Sequence, residues 1–266
     1  MKLQINSLAV YAFGKKENPV IIFVHGFPFD HTMWEYQIKE LQKDFYVIVY
    51  DIRGLGESYV GDGQYTMEAY VNDLFSIINQ LNLVKPVLCG LSMGGYIALR
   101  AIEVDQAKFS GLILLDTKSG SDDDNGKLGR ANAINKINVD GLDVFAEGFV
   151  SNVFAEESKT ELKTVYKKTL KTSKKHNPIG VKGALFAMLS RTDTTKSLKQ
   201  IKLPTLVMGG SFDKLTPPTG MRVMADKIKN SEFAIVPRAG HMSPLENPSF
   251  VNDMIKGFLT RRVVKN

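Results

Sequence analysis

The sequence has a single cysteine, Cys89, and no apolar run of the roughly 18 residues that a membrane-spanning helix requires. One cysteine cannot form an intrachain disulfide, which excludes a disulfide-stabilised scaffold and fits a reducing compartment. The first residues mix polar and apolar side chains too finely for the core of a signal peptide. We therefore expect a cytoplasmic protein that does not insert into membranes.

Basic side chains modestly outnumber acidic ones, and the excess lies in one part of the chain. The net charge of the 266 residues is +6, and residues 118–202 carry that excess, with 16 basic and 10 acidic side chains. Within them Lys159, Lys163, Lys167 and Lys171 recur at four-residue spacing, which is typical of the solvated face of a helix. No recognisable nucleic-acid-binding module accompanies these lysines, so we expect no nucleic-acid partner.

Short runs rich in Val, Ile and Leu alternate with segments whose apolar residues recur about every 3.6 positions. Most runs are continuous, as in parallel strands buried on both faces. The alternation predicts an open, mostly parallel, twisted sheet with helices on both faces and an antiparallel hairpin, Leu3–Ile5 with Leu8–Phe13, at its edge. The other predicted strands are Val20–Val24, Phe45–Tyr50, Pro86–Cys89, Phe109–Leu115, Thr205–Met208 and Glu232–Val236. The predicted helices between them are Met33–Leu41, Met67–Leu81, Met93–Glu103, Thr219–Ile228 and Ser249–Leu259.

The alternation stops after Leu115, and no strand pattern returns until Leu203. We predict a helical insertion, residues 118–196, that lies across the carboxyl edge of the sheet, where open α/β sheets bind their ligands. Residues 1–117 and 197–266 then form the core. The helical patterns of the insertion lie around Leu128–Asn138, Leu142–Val150, Glu156–Thr172 and Pro178–Ser190.

The insertion begins with an acidic segment, SGSDDDNG at Ser119–Gly126. Its composition is typical of a flexible, solvated loop. No further ligands stand at fixed spacing around the three aspartates, so we expect no metal site there.

The sharpest local motif is Gly-x-Ser-x-Gly at Gly90–Gly94, between a predicted strand and a predicted helix. In that context the motif is typical of a nucleophile elbow, in which small residues allow a tight turn that exposes the hydroxyl of Ser92. A glycine-rich turn that serves only packing is the alternative. We expect Ser92 to be a catalytic nucleophile.

A serine nucleophile needs a base, and the sequence has only four histidines. His241 follows the last predicted strand in a loop that can reach over the sheet edge. His25 ends another strand, whereas His31 and His176 lie in polar, helix-rich surroundings. Position therefore favours His241 as the base, with a purely structural loop histidine as the alternative.

The carboxylate that orients the histidine is expected between serine and histidine in chain order. Asp213 follows the penultimate strand and fits that order. Asp116 ends another strand at the same edge and is its rival. We favour Asp213 because Gly209 and Gly210 before it free the loop to bend toward His241.

Attack on a carbonyl also needs donors for the oxyanion that forms. One is expected to be the backbone N–H of Met93, directly after the serine. The other is expected in the loop His25–Pro28, where Phe27 supplies an N–H and Pro28 has none. His25 itself is expected to support this loop. We also predict that five apolar residues line the substrate pocket: Phe149, Phe186, Met188, Leu215 and Met242.

With these residues in place, the chain resembles the α/β-hydrolase superfamily over essentially its full length. The segments that carry the resemblance are HGFP at 25–28, DIRGLGES at 51–58, GLSMGG at 90–95, GSFDKLTPP at 210–218 and AGHMSPLENP at 239–248. Within the superfamily it is similar to small carboxylesterases and 3-oxoadipate enol-lactonases. The resemblance implies the same nucleophile, acid, base and oxyanion donors, together with a helical cap.

These observations predict a carboxylesterase that hydrolyses esters of short to medium acyl chains through an acyl-enzyme, without metal or cofactor. An enol-lactonase or related lactone hydrolase is the alternative, and it would need a cation such as Arg130 or Arg191 to pair with a substrate carboxylate. A non-catalytic small-molecule receptor is a third hypothesis. The expected partner is a small ester or lactone, and the expected state is monomer or homodimer.

Overall fold

The predicted strands assemble into one eight-stranded sheet in the computed structural model, which describes residues 1–264. Spatial order is β1-β2-β4-β3-β5-β6-β7-β8, with β1, β2 and β4 paired antiparallel and the remaining pairs parallel. The mostly parallel sheet is therefore confirmed. The strands are β1 (Lys2–Ile5), β2 (Leu8–Phe13), β3 (Val20–Val24), β4 (Tyr46–Tyr50), β5 (Val87–Leu91), β6 (Gly111–Leu115), β7 (Thr205–Gly210) and β8 (Ser231–Val236).

Alternating side chains along a strand point to opposite faces of the sheet, and here both faces are apolar. In β3, Ile22 and Val24 belong to one buried cluster, whereas Ile21 and Phe23 belong to the other. Helices α2, α3 and α9 contribute to the first cluster, and α1 and α11 to the second. The helices of the two layers are α1 (Glu35–Leu41), α2 (Met67–Gln80), α3 (Met93–Asp105), α9 (Pro218–Asp226) and α11 (Pro248–Phe258).

Five helices lie between β6 and β7, in the segment where the sequence shows no strand pattern. The predicted helix Glu156–Thr172 is two helices, because the backbone leaves the helical region at Leu162, with φ −106° and ψ 38°. Within residues 1–264, no helix combines the length and hydrophobicity needed to span a membrane. The five helices are α4 (Asp124–Asp140), α5 (Leu142–Val153), α6 (Ser158–Glu161), α7 (Lys163–Lys175) and α8 (Pro178–Leu189). The short α10 (Ser243–Glu246) precedes α11.

The expected solvated lysine face is present in part: Lys163, Lys167 and Lys171 are exposed on α7, whereas Lys159 lies on α6 with its side chain only 20% exposed. The expected solvated acidic loop is also only partly present. Asp123 accepts a hydrogen bond from the amide of Gly126 and begins helix α4 inside the acidic segment. The segment is therefore partly ordered into a helix start.

The turn from β5 into α3 presses against the end of β3. A Cβ atom on Gly94 would lie 2.1 Å from the carbonyl oxygen of Val24 and 2.8 Å from that of His25. Neither backbone oxygen can move aside without disturbing the sheet. Only a residue without a side chain fits at position 94, and this close approach sets the loop after β3 beside Ser92.

We expect Gly94→Ala to lower the free energy of unfolding by about 3 kcal/mol or more, because the new methyl group overlaps backbone atoms. Gly148→Ala is the matched control, since Gly148 is an exposed residue of helix α5 and a Cβ there meets nothing within 4 Å. The control is expected to be neutral or to raise stability by about 0.5–1 kcal/mol. Urea unfolding of both variants tests this, and equal stabilities would contradict the packing argument.

Candidate active site

Ser92 occupies a strained turn between β5 and α3. Its backbone has φ 54° and ψ −116°, a conformation that costs a non-glycine residue about 1–3 kcal/mol and persists only where its surroundings enforce it. Its amide donates to the carbonyl of Leu115 at 3.0 Å, and its carbonyl accepts from Thr117 Oγ1 at 2.8 Å. Both neighbours lie at the end of β6, so the adjacent strand fixes the turn while the serine side chain stays half-buried.

His241 and Asp213 are hydrogen-bonded to each other in loops that follow β8 and β7. His241 Nδ1 lies 2.8 Å from Asp213 Oδ2. The same oxygen accepts from Thr216 Oγ1 at 2.6 Å, and the other carboxylate oxygen accepts the amides of Leu215 and Thr216. Both side chains are buried. His241 Nε2 has no hydrogen-bond partner among the described residues, so it is not hydrogen-bonded to Ser92.

Charge explains the ionisation of this pair. Burial lowers the pKa of His241, but the Asp213 carboxylate opposes that effect and holds it above its ordinary value. Burial raises the pKa of Asp213, but His241 and the donors of Thr216 leave it below its ordinary value. Asp213 is therefore a carboxylate at neutral pH, and it stabilises an imidazolium at His241.

Asp116, the rival acid, has different partners. It is fully buried and accepts hydrogen bonds from the Gly210 amide, at 2.8 Å, and from the Ser243 hydroxyl. Burial and the nearby Asp213 raise its pKa well above the ordinary value, so its neutral form is favoured. The structure brings Asp213, and not Asp116, into hydrogen-bond contact with His241.

The loop after β3 lies directly against the Ser92 turn. A Cβ atom on Gly26 would be 3.4 Å from the Cβ of Ser92. His25 supports this loop as expected: its Nε2 accepts the amide of Ile52 at 2.9 Å, which leaves its Nδ1 to donate to the Gly26 carbonyl at 2.8 Å. Among residues 1–264, the amides of Phe27 and Met93 have no hydrogen-bond acceptor. Two free donors thus flank the serine turn.

The predicted pocket residues are not gathered at one place. Phe149 packs edge-on against Phe27, with ring centroids 5.4 Å apart. Met188 and Met242 are buried, whereas Phe186 is 53% exposed and Leu215 is 45% exposed. Leu215 lines a separate cleft of about 250 Å³ with residues that include Thr117, Thr216, Met221 and Met224.

Sequence reasoning missed three polar residues of this region. Thr117 fixes the Ser92 carbonyl, Thr216 donates to Asp213, and Glu246 binds amides beside His241. Only Thr216 carries a local signal, because an aspartate three residues before a threonine is typical of a side-chain-capped turn.

A family model described as alpha/beta hydrolase fold matches residues 19–248. The chain belongs to the α/β-hydrolase family. The solved structure of a thermophilic esterase from Thermogutta terrifontis, described with malate bound, has a TM-score of 0.92 and 36% identity, and the match covers 97% of this chain and 98% of that one. The curated 3-oxoadipate enol-lactonase 1 of Acinetobacter baylyi is 28% identical over 96% of this chain and 94% of its own length.

A more distant structure agrees on the fold alone. The enol-lactonase from Burkholderia xenovorans LB400 has a TM-score of 0.90 at 23% identity, covering 98% of this chain and 100% of that chain. The protein is therefore an α/β hydrolase with esterase and enol-lactonase relatives at modest identity.

Arg130 and Arg191, the two candidates to bind a substrate carboxylate, both form ion pairs with the side chain of Asp122 in this α/β hydrolase. Arg191 makes two contacts to Asp122, at 2.9 and 3.1 Å, and Arg130 pairs with the same side chain. Arg191 also stacks over the ring of Tyr96, 4.1 Å from its centroid. Asp122 is buried, so the expectation that the three aspartates are solvated is wrong for this one.

One cluster within residues 1–264 has the composition of a metal site. The possible ligand atoms of Asp30, His31 and Asp51 lie within 4.8 Å of one another. They are engaged locally, since His31 Nδ1 donates to Asp51 at 2.7 Å and the Thr32 amide donates to Asp30 at 2.9 Å. Neither Ser92 nor the His241–Asp213 pair belongs to this cluster.

We expect Asp122→Asn to lower the free energy of unfolding by about 3 kcal/mol at pH 7, because it leaves the buried Arg191 without its counter-charge. The arginines hold the pKa of Asp122 well below its ordinary value, so its ionised form adds stability above the unfolded pKa of about 4. That contribution is lost as pH falls through the lower folded pKa. In urea unfolding from pH 7 to 3, the difference in free energy of unfolding between Asp122→Asn and the unchanged protein should become smaller. The control is Asp124→Asn, at an exposed residue, which should be as stable as the unchanged protein.

Proposed function

We propose that the protein is a serine carboxylesterase with Ser92 as nucleophile, His241 as base and Asp213 as the acid that orients it. The observation that carries this proposal is the buried His241–Asp213 hydrogen bond, which leaves His241 Nε2 without a partner among the described residues, and the strained turn at Ser92 is the second observation. A base held in one tautomer by a carboxylate, with its other nitrogen free, is what activation of a serine hydroxyl requires.

In the proposed reaction His241 Nε2 takes the proton of Ser92 Oγ while that oxygen bonds to the ester carbonyl carbon. The negative charge moves to the carbonyl oxygen, where the free amides of Phe27 and Met93 donate to it. Collapse breaks the bond to the alcohol, which leaves with the proton from His241. Water then cleaves the acyl-enzyme by the same route, and Asp213 stabilises the imidazolium without taking its proton.

We place the acyl chain of the substrate against an apolar group near the serine turn. Phe27, Phe145 and Phe149 form an aromatic group, with centroid separations of 5.4–6.1 Å. Phe27 belongs to the loop that contacts Ser92, and the other two lie on α5. We also propose residues 118–196 as a cap over a core of 1–117 and 197–266, because these aromatic contacts bring α5 onto that loop. The 36% identical esterase supports the same class.

Enol-lactonases are among the named relatives of this chain, but its ion pairs do not favour that alternative. A substrate carboxylate would need an available cation, and Asp122 already engages both Arg130 and Arg191. Hydrolysis of 3-oxoadipate enol-lactone, measured beside ester hydrolysis, separates the two activities.

We expect Ser92→Ala to reduce hydrolysis of p-nitrophenyl esters by at least about 10³-fold while the protein stays folded, because the attacking oxygen is removed. Initial rates from acetate to decanoate are expected to peak at short or medium chains. Ser110→Ala, outside the proposed site, is the control and should keep full activity. A near-normal rate in Ser92→Ala would overturn the mechanism.

Asp213→Asn and Asp116→Asn distinguish the two buried acids. The first removes the charge on His241 and is expected to lower kcat by about 10⁴-fold. The second should cost less than about tenfold, because an amide resembles the neutral acid favoured at position 116. Steady-state kinetics of both variants tests the assignment, and the reverse ranking would transfer the role to Asp116.

A further inference from the structure

The amides on both sides of His241 share one acceptor, the side chain of Glu246. Glu246 Oε1 accepts the amide of Gly240 at 2.9 Å and that of Met242 at 3.1 Å. Its Oε2 accepts the amide of Ala155 at 2.8 Å. The carboxylate is buried, and it is the kind of acceptor that can satisfy three converging N–H groups at once.

The same carboxylate joins the His241 loop to the segment that follows α5. The amide of His241 donates to the carbonyl of Val153 at 2.8 Å. The contact is close, because a Cβ atom on Gly240 would lie 2.6 Å from the Ala155 nitrogen. Three successive amides, from residue 240 to residue 242, are thus held by Glu246 and by the end of α5.

We propose that Glu246 is a positioning residue, which fixes the backbone of His241 against the end of α5 and so keeps the imidazole on Asp213. The inference rests on the proposed function, in which His241 is the base. Glu246 touches backbone amides and not the reacting atoms, so it acts through His241. Its three acceptor bonds explain why a carboxylate lies buried at the end of α10, where an apolar residue would otherwise pack.

Charge gives this role a measurable signature. The acidic groups that face His241 are Asp213, Asp116 and Glu246, and a negative charge on any of them raises the pKa of the imidazole. Burial raises the pKa of Glu246 itself, against the opposing effect of its hydrogen bonds. Removal of the Glu246 charge, and displacement of the imidazole from Asp213, should therefore both lower the pKa of His241, whereas a loss of stability elsewhere in the fold would leave that titration unchanged.

The test compares Glu246→Gln with Glu161→Gln. Glu161 pairs with Arg238 at the surface and links α6 to the same loop region, so its variant controls for loss of a carboxylate between these two segments. We expect Glu246→Gln to lower kcat by about tenfold to a hundredfold with little change in KM, because the imidazole is displaced. The control should keep both parameters.

An NMR titration of the four histidines, without substrate, gives a readout that does not depend on turnover. The His241 signal is expected to titrate at lower pH in Glu246→Gln than in Glu161→Gln. If neither the unchanged protein nor any variant hydrolyses esters, the proposed function fails, while the titration still decides the role of Glu246. Control-like kcat and control-like titration together would overturn the inference.

The shorter variant Glu246→Asp guards against loss of folding in Glu246→Gln. It keeps the charge but cannot reach all three amides. Its expected behaviour is a reduced kcat with a His241 titration between those of Glu246→Gln and Glu161→Gln, because the charge is kept while the imidazole is held less firmly on Asp213. Full control activity in Glu246→Asp would also overturn the positioning role, because the bonds to the amides would then be dispensable.

Discussion

The close backbone approach between the β5–α3 turn and the end of β3 is the constraint on which the site depends. With no side chain at Gly94, the start of α3 contacts the carbonyl oxygens of Val24 and His25. That contact puts the loop of Phe27 beside Ser92, and within residues 1–264 the amides of Phe27 and Met93 have no acceptor. The packing of a glycine against a strand end thus positions the loop, while hydrogen bonds to the end of β6 hold the strained serine.

Two buried carboxylates near His241 differ in ionisation because their surroundings differ. Asp213 contacts the imidazole and accepts three donors of Leu215 and Thr216, which stabilise its charge. Within residues 1–264 Asp116 forms no ion pair, and burial and the nearby Asp213 raise its pKa. Because two like charges in a buried site repel, ionisation of one favours the neutral form of the other. The same loop region thus contains one anionic acid and one neutral acid.

Buried charges, as well as apolar contacts, hold the helices between β6 and β7 to each other and to the rest of the molecule. Asp122 holds Arg130 and Arg191 near the two ends of this segment. Glu246 binds the amide that follows α5 and the amides around His241. Both carboxylates and Arg191 are buried, so neither contact can open without exposing or orphaning a charge.

Local sequence was sufficient for the strand and helix alternation and for the Ser92 turn, because these depend on periodicity and on small residues at fixed spacing. It did not settle which aspartate contacts His241: it favoured Asp213 over Asp116 only through the two glycines before Asp213, since both aspartates follow strands that end at the same sheet edge. Nor did it reveal that Asp122 is buried or that Glu246 binds amides at His241. Tertiary structure decided these points, because Asp122 meets Arg191 across 69 positions and Ala155 meets Glu246 across 91. Such partners meet only when the intervening segments have folded back on the sheet, and no local pattern encodes that.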